Sequence, residues 1–161
     1  MKMKQTLLIL LCLFTFAQTK SQSKSENDSL YIIALEKYTI EKDSFFMQFP
    51  KQPREKYETL YLEKPDFIDK LPETIRKHKL IIINSTNKDE LYTKNGNSLV
   101  NLVIYPRIEK GMFKITVVPY IGSRDENRKI LLELSDWTDV FFTYDCERNR
   151  WEYLKTESGG I

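Results

Sequence analysis

The fold is decided by residues 99–118, which read LVNLVIYPRIEKGMFKITVV. Two runs rich in β-branched and aromatic residues flank a short polar turn at 109–111, and this order predicts a β-hairpin with a bulge at Gly111. Apolar and polar residues alternate in the second run, so one face of the sheet should carry Phe113, Ile115 and Val117. Because proline has no N–H to donate, Pro106 and Pro119 should each lie at a strand end or a bulge.

Further strands are expected on both sides of this hairpin. The segments 57–62, 79–84 and 130–134 are short and rich in strand formers. Segments 139–144 and 151–154 flank a polar turn and predict a second hairpin.

Helical signals are concentrated before the strands. The cap cluster Asn27-Asp28-Ser29 precedes a broad apolar stripe, which predicts a helix ending near Lys42-Asp43. Shorter helical turns are expected at 65–71 and at 88–94, the latter stopped by Asn95-Gly96. A helix followed mainly by antiparallel strands predicts an α+β fold, with the N-terminal helix packed on a twisted sheet. In architecture alone this order resembles the cystatin-like and nuclear-transport-factor-2-like (NTF2-like) folds.

The first 17 residues have the pattern of a secretory signal peptide. Lys2 and Lys4 precede an apolar run, Leu7 to Ala17, which is shorter than the roughly 20 residues that span a bilayer. Cleavage is expected after Ala17 or Ser21. We therefore expect a periplasmic or secreted protein that meets the membrane only during export.

The rest of the chain should form one domain over 28–155, between a flexible leader at 18–27 and a mobile tail at 156–161. Removing residues 1–17 leaves 23 cationic and 23 acidic residues. A neutral chain lacks the surplus of Lys and Arg that nucleic-acid binding requires, so no nucleic-acid partner is expected.

Known catalytic and cofactor motifs are missing from the sequence. His78 is the only histidine, so a His-pair metal site cannot form within one chain, and nothing matches a P-loop or a dinucleotide fingerprint. We expect no cofactor, no metal site and no catalytic residues, and His78 is interpreted as a residue at the start of a strand, at the solvent boundary. Cys146 is interpreted as a semi-buried or turn thiol.

Two acid pairs share a spacing of three residues, Asp66/Asp69 and Asp136/Asp139. On a helical turn this spacing would put both carboxylates on one side, where they could hold a hard cation weakly. The simpler interpretation is capping by Asp66 and a strand entrance at the second pair.

The feature that points most clearly to function is a cluster of aromatic residues between 137 and 153. A possible binding surface comprises Trp137, Phe141, Trp151 and Tyr153. These rings could pack across strands against the helix, or they could form an exposed platform for a sugar, a peptide or a protein.

Three functions follow from these observations. The first is an exported non-enzymatic module that binds a protein, peptide or glycan partner. The second is a small-ligand carrier or enzyme with a pocket between helix and sheet, lined by residues such as Tyr31, Leu35, Phe113 and Tyr144. The third is a structural envelope protein without a discrete site.

Overall fold

The computed structural model describes residues 28–52, 57–125, 129–134 and 136–160. The predicted signal peptide and leader lie outside these residues. Within them, no helix is both long enough and apolar enough to cross a membrane.

The α+β class is confirmed. In the part of the chain that the structure describes, two helices accompany an eight-stranded, mainly antiparallel sheet in the order β2-β3-β1-β4-β5-β7-β8, with β6 paired to β5 beside β7. Among these strands, only β1 pairs in parallel, with β3 and β4. The elements are α1 (28–48), β1 (Thr59–Glu63), β2 (Thr74–Ile75), β3 (His78–Ile83), α2 (Lys88–Lys94), β4 (Ser98–Glu109), β5 (Met112–Arg124), β6 (Ile130–Leu134), β7 (Asp136–Asp145) and β8 (Arg150–Gly160).

The predicted hairpin forms the centre of the sheet as β4 and β5. Its turn contains no bulge, because Glu109 pairs directly with Met112 across two loop residues. Those residues, Lys110 and Gly111, both have left-handed φ values, 51° and 78°. Two consecutive positive φ values give the tight turn whose twist matches that of the strands, so no extra residue is needed.

Both hairpin prolines lie inside strands, which corrects the prediction that they mark strand ends or bulges. Pro106 pairs with Ile115, and Pro119 pairs with Leu102. Hydrogen-bonded and non-hydrogen-bonded pairs alternate along an antiparallel ladder. Because these two pairs are an even number of residues apart, both prolines occupy the same kind of pair. Pro119 also falls between the stretches of β5 that pair with β7 and with β6, where its ring nitrogen has no ladder bond to donate.

Helix α1 covers one face of the sheet, and the main core lies between them. The helix continues to residue 48, beyond its predicted end, because Phe46 is buried against Tyr57 with ring centroids 5.0 Å apart. The predicted face of β5 is confirmed. The fully buried core side chains include Leu35, Tyr38, Leu62, Leu102, Ile115, Val117, Val140 and Phe142.

The opposite face of the sheet is called the outer face here, and α2 covers one end of it. Tyr92 of α2 packs there with Ile83 and Leu99. The α2 segment matches its prediction, including the left-handed φ of 67° at Gly96. In contrast, the helical turn expected over 65–71 is a single hydrogen-bonded turn from Pro65 O to Ile68 N.

The last strand differs most from the sequence prediction. Residues 156–160, expected to be a mobile tail, continue β8 and pair with β7 as far as Asp136↔Gly160. A bulge interrupts this ladder between Phe141 and Phe142. The ladder brings the end of the chain beside the start of β7 and the second half of α1.

Candidate functional site

An opening lies where α1 meets the ends of β7 and β8, and it is called the helix-side cleft. Its volume is about 490 Å³, within the range of small-molecule sites. The walls combine aromatic rings, hydroxyls, one amide, one ion pair and a further carboxylate. They are formed by Glu41, Lys42, Ser44, Phe45, Gln48, Asp136, Trp137, Thr138, Ser158, Gly159 and Gly160.

Trp137 forms the sheet-side wall of this cleft. It pairs with Gly159 across the β7–β8 ladder. A Cβ at position 159 would lie 3.0 Å from Cε2 of the indole and closer still to two other ring atoms. Only glycine therefore lets the indole lie directly on β8, and 36% of Trp137 remains exposed. Phe45 on α1 is 43% exposed and faces the same cleft.

An ion pair between Lys42 and Asp136 joins helix and strand at the cleft. The other carboxylate oxygen of Asp136, Oδ1, is buried and has no hydrogen-bond partner among the described residues. Burial raises the pKa of Tyr38 well above its ordinary value and also raises that of Tyr57, with the charge of Asp136 adding to both shifts. Both phenols therefore stay neutral, and Lys42 is the cation that balances Asp136.

A second, smaller depression lies on the outer face and is called the outer hollow. Its volume is about 320 Å³. Trp137 borders it as well, so both openings adjoin this residue. The other lining residues are Tyr105, Arg107, Thr116 and Asp139.

The groups of the outer hollow are held by hydrogen bonds. The Tyr105 and Tyr120 hydroxyls lie 3.3 Å apart, and this contact, helped by burial, raises the pKa of Tyr105 to about 12. Thr116 donates to Asp139 Oδ1 at 2.5 Å. Lys114, which is buried, donates to Asp139 Oδ2 at 3.0 Å. The Asp139 carboxylate is therefore fixed and neutralised before any ligand arrives.

The four residues of the predicted binding surface do not lie together. Trp137 and Phe141 are on the outer face, but Phe141 is buried, with Lys155 4.8 Å from its ring centroid. Trp151 and Tyr153 are on the α1 face: Trp151 packs on Phe113 at 5.6 Å. Tyr153 lies under Lys37 of α1 at 4.0 Å. The packing across strands against the helix that the sequence suggested thus accounts for Trp151 and Tyr153. Phe141 is instead buried on the outer face beside lysines, and Trp137 borders the cleft.

His78 does begin β3, but it is buried and away from the solvent boundary. Its Nδ1 donates to the Tyr57 carbonyl at 2.9 Å, and Nε2 lies 3.5 Å from Asp43 Oδ1. Desolvation acts to raise the pKa of Asp43, but the hydrogen bond and charge of Lys77, followed by His78, lower it overall. Both ring nitrogens face protein atoms, so the ring ties β3 to α1.

The remaining candidate groups do not converge on a site. Cys146 is exposed in the turn between β7 and β8, which confirms the turn interpretation. Asp136 and Asp139 lie on a strand, where a spacing of three puts them on opposite faces. Among the described residues, no three His, Cys, Asp or Glu side chains are grouped so that they could hold a metal ion.

Sequence reasoning missed Lys42, Phe45 and Gly159. The sequence predicts Lys42 only as part of the end of the helix, Phe45 lies beyond that predicted end, and Gly159 falls in the predicted tail. The Gly-Gly pair next to a patternless segment was the only available signal. Comparison of this chain with protein-family models, with curated proteins and with solved structures finds no match in any of the three.

Proposed function

We propose that this chain is an exported, non-enzymatic module that binds a protein, peptide or glycan partner in the cell envelope or outside the cell. The proposed contact surface is centred on Trp137 and includes Phe45, the helix-side cleft and the outer hollow; it is called the Trp137 surface. The observation that carries the proposal is the partly exposed indole of Trp137, which lies against Gly159 and borders both openings. Large aromatic side chains of this kind are the usual anchors of binding surfaces.

A photo-crosslinking amino acid tests this surface directly. A benzophenone side chain replaces Phe45 in one variant and Phe67 in the other, both expressed in the native host. The two positions are matched, since they are 43% and 51% exposed, but Phe67 packs on Tyr31, outside the residues that line the cleft. A discrete adduct at position 45 and none at 67 is expected. Equal labelling at both positions, or none at 45, contradicts the proposal.

Export is tested separately, by sequencing the N-terminus of the natural protein. A protein that begins at Gln18 or Gln22 and fractionates outside the cytosol agrees with the proposal. A protein that begins at Met1 and is found in the cytosol contradicts it.

The helix-side cleft also supports a second candidate, a carrier or enzyme for a small ligand. The pocket lies between helix and sheet as that hypothesis requires, but it is not lined by the core residues first expected, since Tyr31 and Leu35 are buried in the main core. Native mass spectrometry of protein purified from its host would show an adduct of one mass that is lost on Lys42→Met. The absence of any adduct at neutral pH would contradict this candidate.

A further inference from the structure

We infer that the Trp137 surface binds a neutral, linear oligosaccharide, with one pyranose ring stacked on the exposed face of the indole. This inference rests on the proposed function and narrows its partner to one chemical class. It is carried by three observations: the orientation of the ring, the internal balance of charge, and the two openings that meet at Trp137.

The first observation is the way in which the indole is held. Gly159 has no side chain, so the ring lies against the backbone of β8, and 36% of Trp137 remains exposed to meet a ligand. The axial C–H groups of a pyranose form a flat apolar patch with positive hydrogen edges, which matches the negative face of an aromatic ring. Phe45 offers a second exposed ring on the opposite wall of the cleft.

The second observation is that the charged residues lining the two openings, Glu41 excepted, have ion-pair partners. Lys42 pairs with Asp136 in the cleft. Beside the outer hollow, Lys114 pairs with Asp139, and Arg107 pairs with Glu109 at 3.3 Å. An anionic ligand would have to break one of these pairs and would be repelled by Glu41, and a cationic ligand would find that one exposed carboxylate alone. A neutral ligand rich in hydroxyl groups can instead donate to carboxylate oxygens and accept from ammonium groups without breaking them.

One acceptor beside the cleft has no hydrogen-bond partner among the described residues. This atom, Asp136 Oδ1, is buried, and such an atom is costly unless a donor reaches it. The neighbouring hydroxyls are self-paired, since Ser158 donates to Thr138 Oγ1 at 3.2 Å. A sugar hydroxyl is a small neutral donor that would satisfy the Asp136 oxygen once binding uncovers it.

The third observation concerns length. The helix-side cleft and the outer hollow both border Trp137, with volumes of about 490 and 320 Å³. A ligand that crosses the indole can place units in both, which favours a linear chain over a single sugar. Peptide binding by strand addition would instead use the free edge of β8, the last strand of the sheet.

The test uses the chain with Trp151→Phe, which leaves Trp137 as the only tryptophan and therefore the only indole reporter. Its fluorescence is titrated with four neutral hexasaccharides: cellohexaose, laminarihexaose, maltohexaose and N-acetylchitohexaose. At least one should give a saturable blue shift, with a Kd below about 1 mM, and the matching monosaccharide should bind at least about tenfold more weakly.

Calorimetric titrations of variants that retain Trp151 identify the surface. Trp137→Ala should weaken binding of that hexasaccharide at least about tenfold. Gly159→Ala keeps the indole but lifts it from β8, and should also weaken binding. Asp136→Asn should weaken it by a smaller factor. Phe67→Ala is the control, because it removes a ring of similar exposure outside the surface and should leave affinity unchanged. Circular dichroism and the Tm of each variant show whether it has folded.

The outcomes separate this inference from the proposed function. The saccharide inference is overturned if none of the four probes binds up to about 10 mM, a concentration far above that of useful recognition. It is also overturned if binding survives in folded Trp137→Ala. A discrete protein adduct through position 45, with no saccharide binding, would overturn this inference and leave the proposed function standing. Equal labelling at positions 45 and 67 would remove the proposed function as well.

Discussion

Lys114 provides a sharp test of how the outer face is held together. Its side chain is 4% exposed and lies 3.0 Å from Asp139 and 2.8 Å from Glu109. Removing one partner of a buried ion pair costs about 3–5 kcal/mol, because the other charge stays buried without compensation. Replacing both partners by apolar residues of similar volume is often neutral. The pair therefore predicts a strongly non-additive double-mutant cycle.

The magnitudes follow from the remaining contacts. In Lys114→Met, Asp139 keeps only the hydrogen bond from Thr116, so the loss in unfolding free energy should be about 3 kcal/mol. In Asp139→Leu, Glu109 still faces Lys114, which reduces the expected loss to about 2–3 kcal/mol. The double variant should lose no more than about 1 kcal/mol, which gives a coupling free energy of about 4 kcal/mol.

Urea unfolding at pH 7, followed by circular dichroism, measures all four proteins, and an unchanged m value shows that the comparison is of native-state stability. The reasoning is refuted if the two single losses simply add in the double variant, or if either single variant loses less than about 1 kcal/mol. Repeating the unfolding measurement over a range of pH tests the direction of the pKa shift of Lys114. Burial acts to lower the pKa of Lys114, but its bonds to Glu109 and Asp139 raise it overall. The stabilisation contributed by the charged form of Lys114 should thus be complete below pH 10.5 and should decrease as pH rises further.

Three more perturbations test other parts of the structure. Gly122→Ala should lower the free energy of unfolding by about 1–3 kcal/mol, because the new Cβ would overlap the hydroxyl of buried Tyr92. In urea unfolding, adding Tyr92→Phe should recover part of that loss, and no recovery would contradict the contact. Desolvation acts to raise the pKa of Asp43, but its cationic neighbours hold that pKa below 3.8. The ionised Asp43 carboxylate therefore stabilises the fold above that pH, and this stabilisation is lost as pH falls. Asp43→Asn should therefore reduce Tm at pH 7 and flatten the decline of Tm below about pH 4, whereas parallel Tm curves would argue against the ion pair. Phe142→Ala should lower the free energy of unfolding by about 3–5 kcal/mol, since its ring is fully buried in the core. The control Ile108→Ala removes an exposed side chain and should change stability by less than about 0.5 kcal/mol. Similar losses in the two variants would contradict the assigned core.

The parts of the fold that the sequence predicts correctly are those that depend on local periodicity. The second strand of the central hairpin alternates apolar and polar residues, and its apolar set lies in the core. The stripe that begins at Leu30 likewise marks the buried face of α1. The errors occur where a neighbour in space decides the outcome. Pro119 is tolerated inside β5 because the neighbouring ladder has a gap at that position, and Phe46 extends α1 because Tyr57 receives its ring.

The candidate site depends on such long-range pairing. Lys42 and Asp136 are 94 residues apart in the chain, and nothing in either local pattern marks them as partners. Asp136 and Asp139 were considered together as a weak cation site, since a helical turn would align them. On a strand they separate, one toward α1 and one toward the outer face, and each meets a lysine of its own.

Gly159 shows why the site could not be assembled from the aromatic pattern alone. If β8 kept strict alternation from Tyr153, position 159 would lie on the α1 face, away from Trp137. The bulge between Phe141 and Phe142 shifts the register, so that Tyr153 pairs with Phe142 while Lys155 pairs with Phe141. After this shift, the odd-numbered residues of β8 lie on the outer face and no longer on the α1 face. Gly159 therefore lies against the indole of Trp137. Bulges are enriched beside functional sites because they redirect side chains, and here one extra residue in β8 determines that the indole of Trp137 lies on glycine.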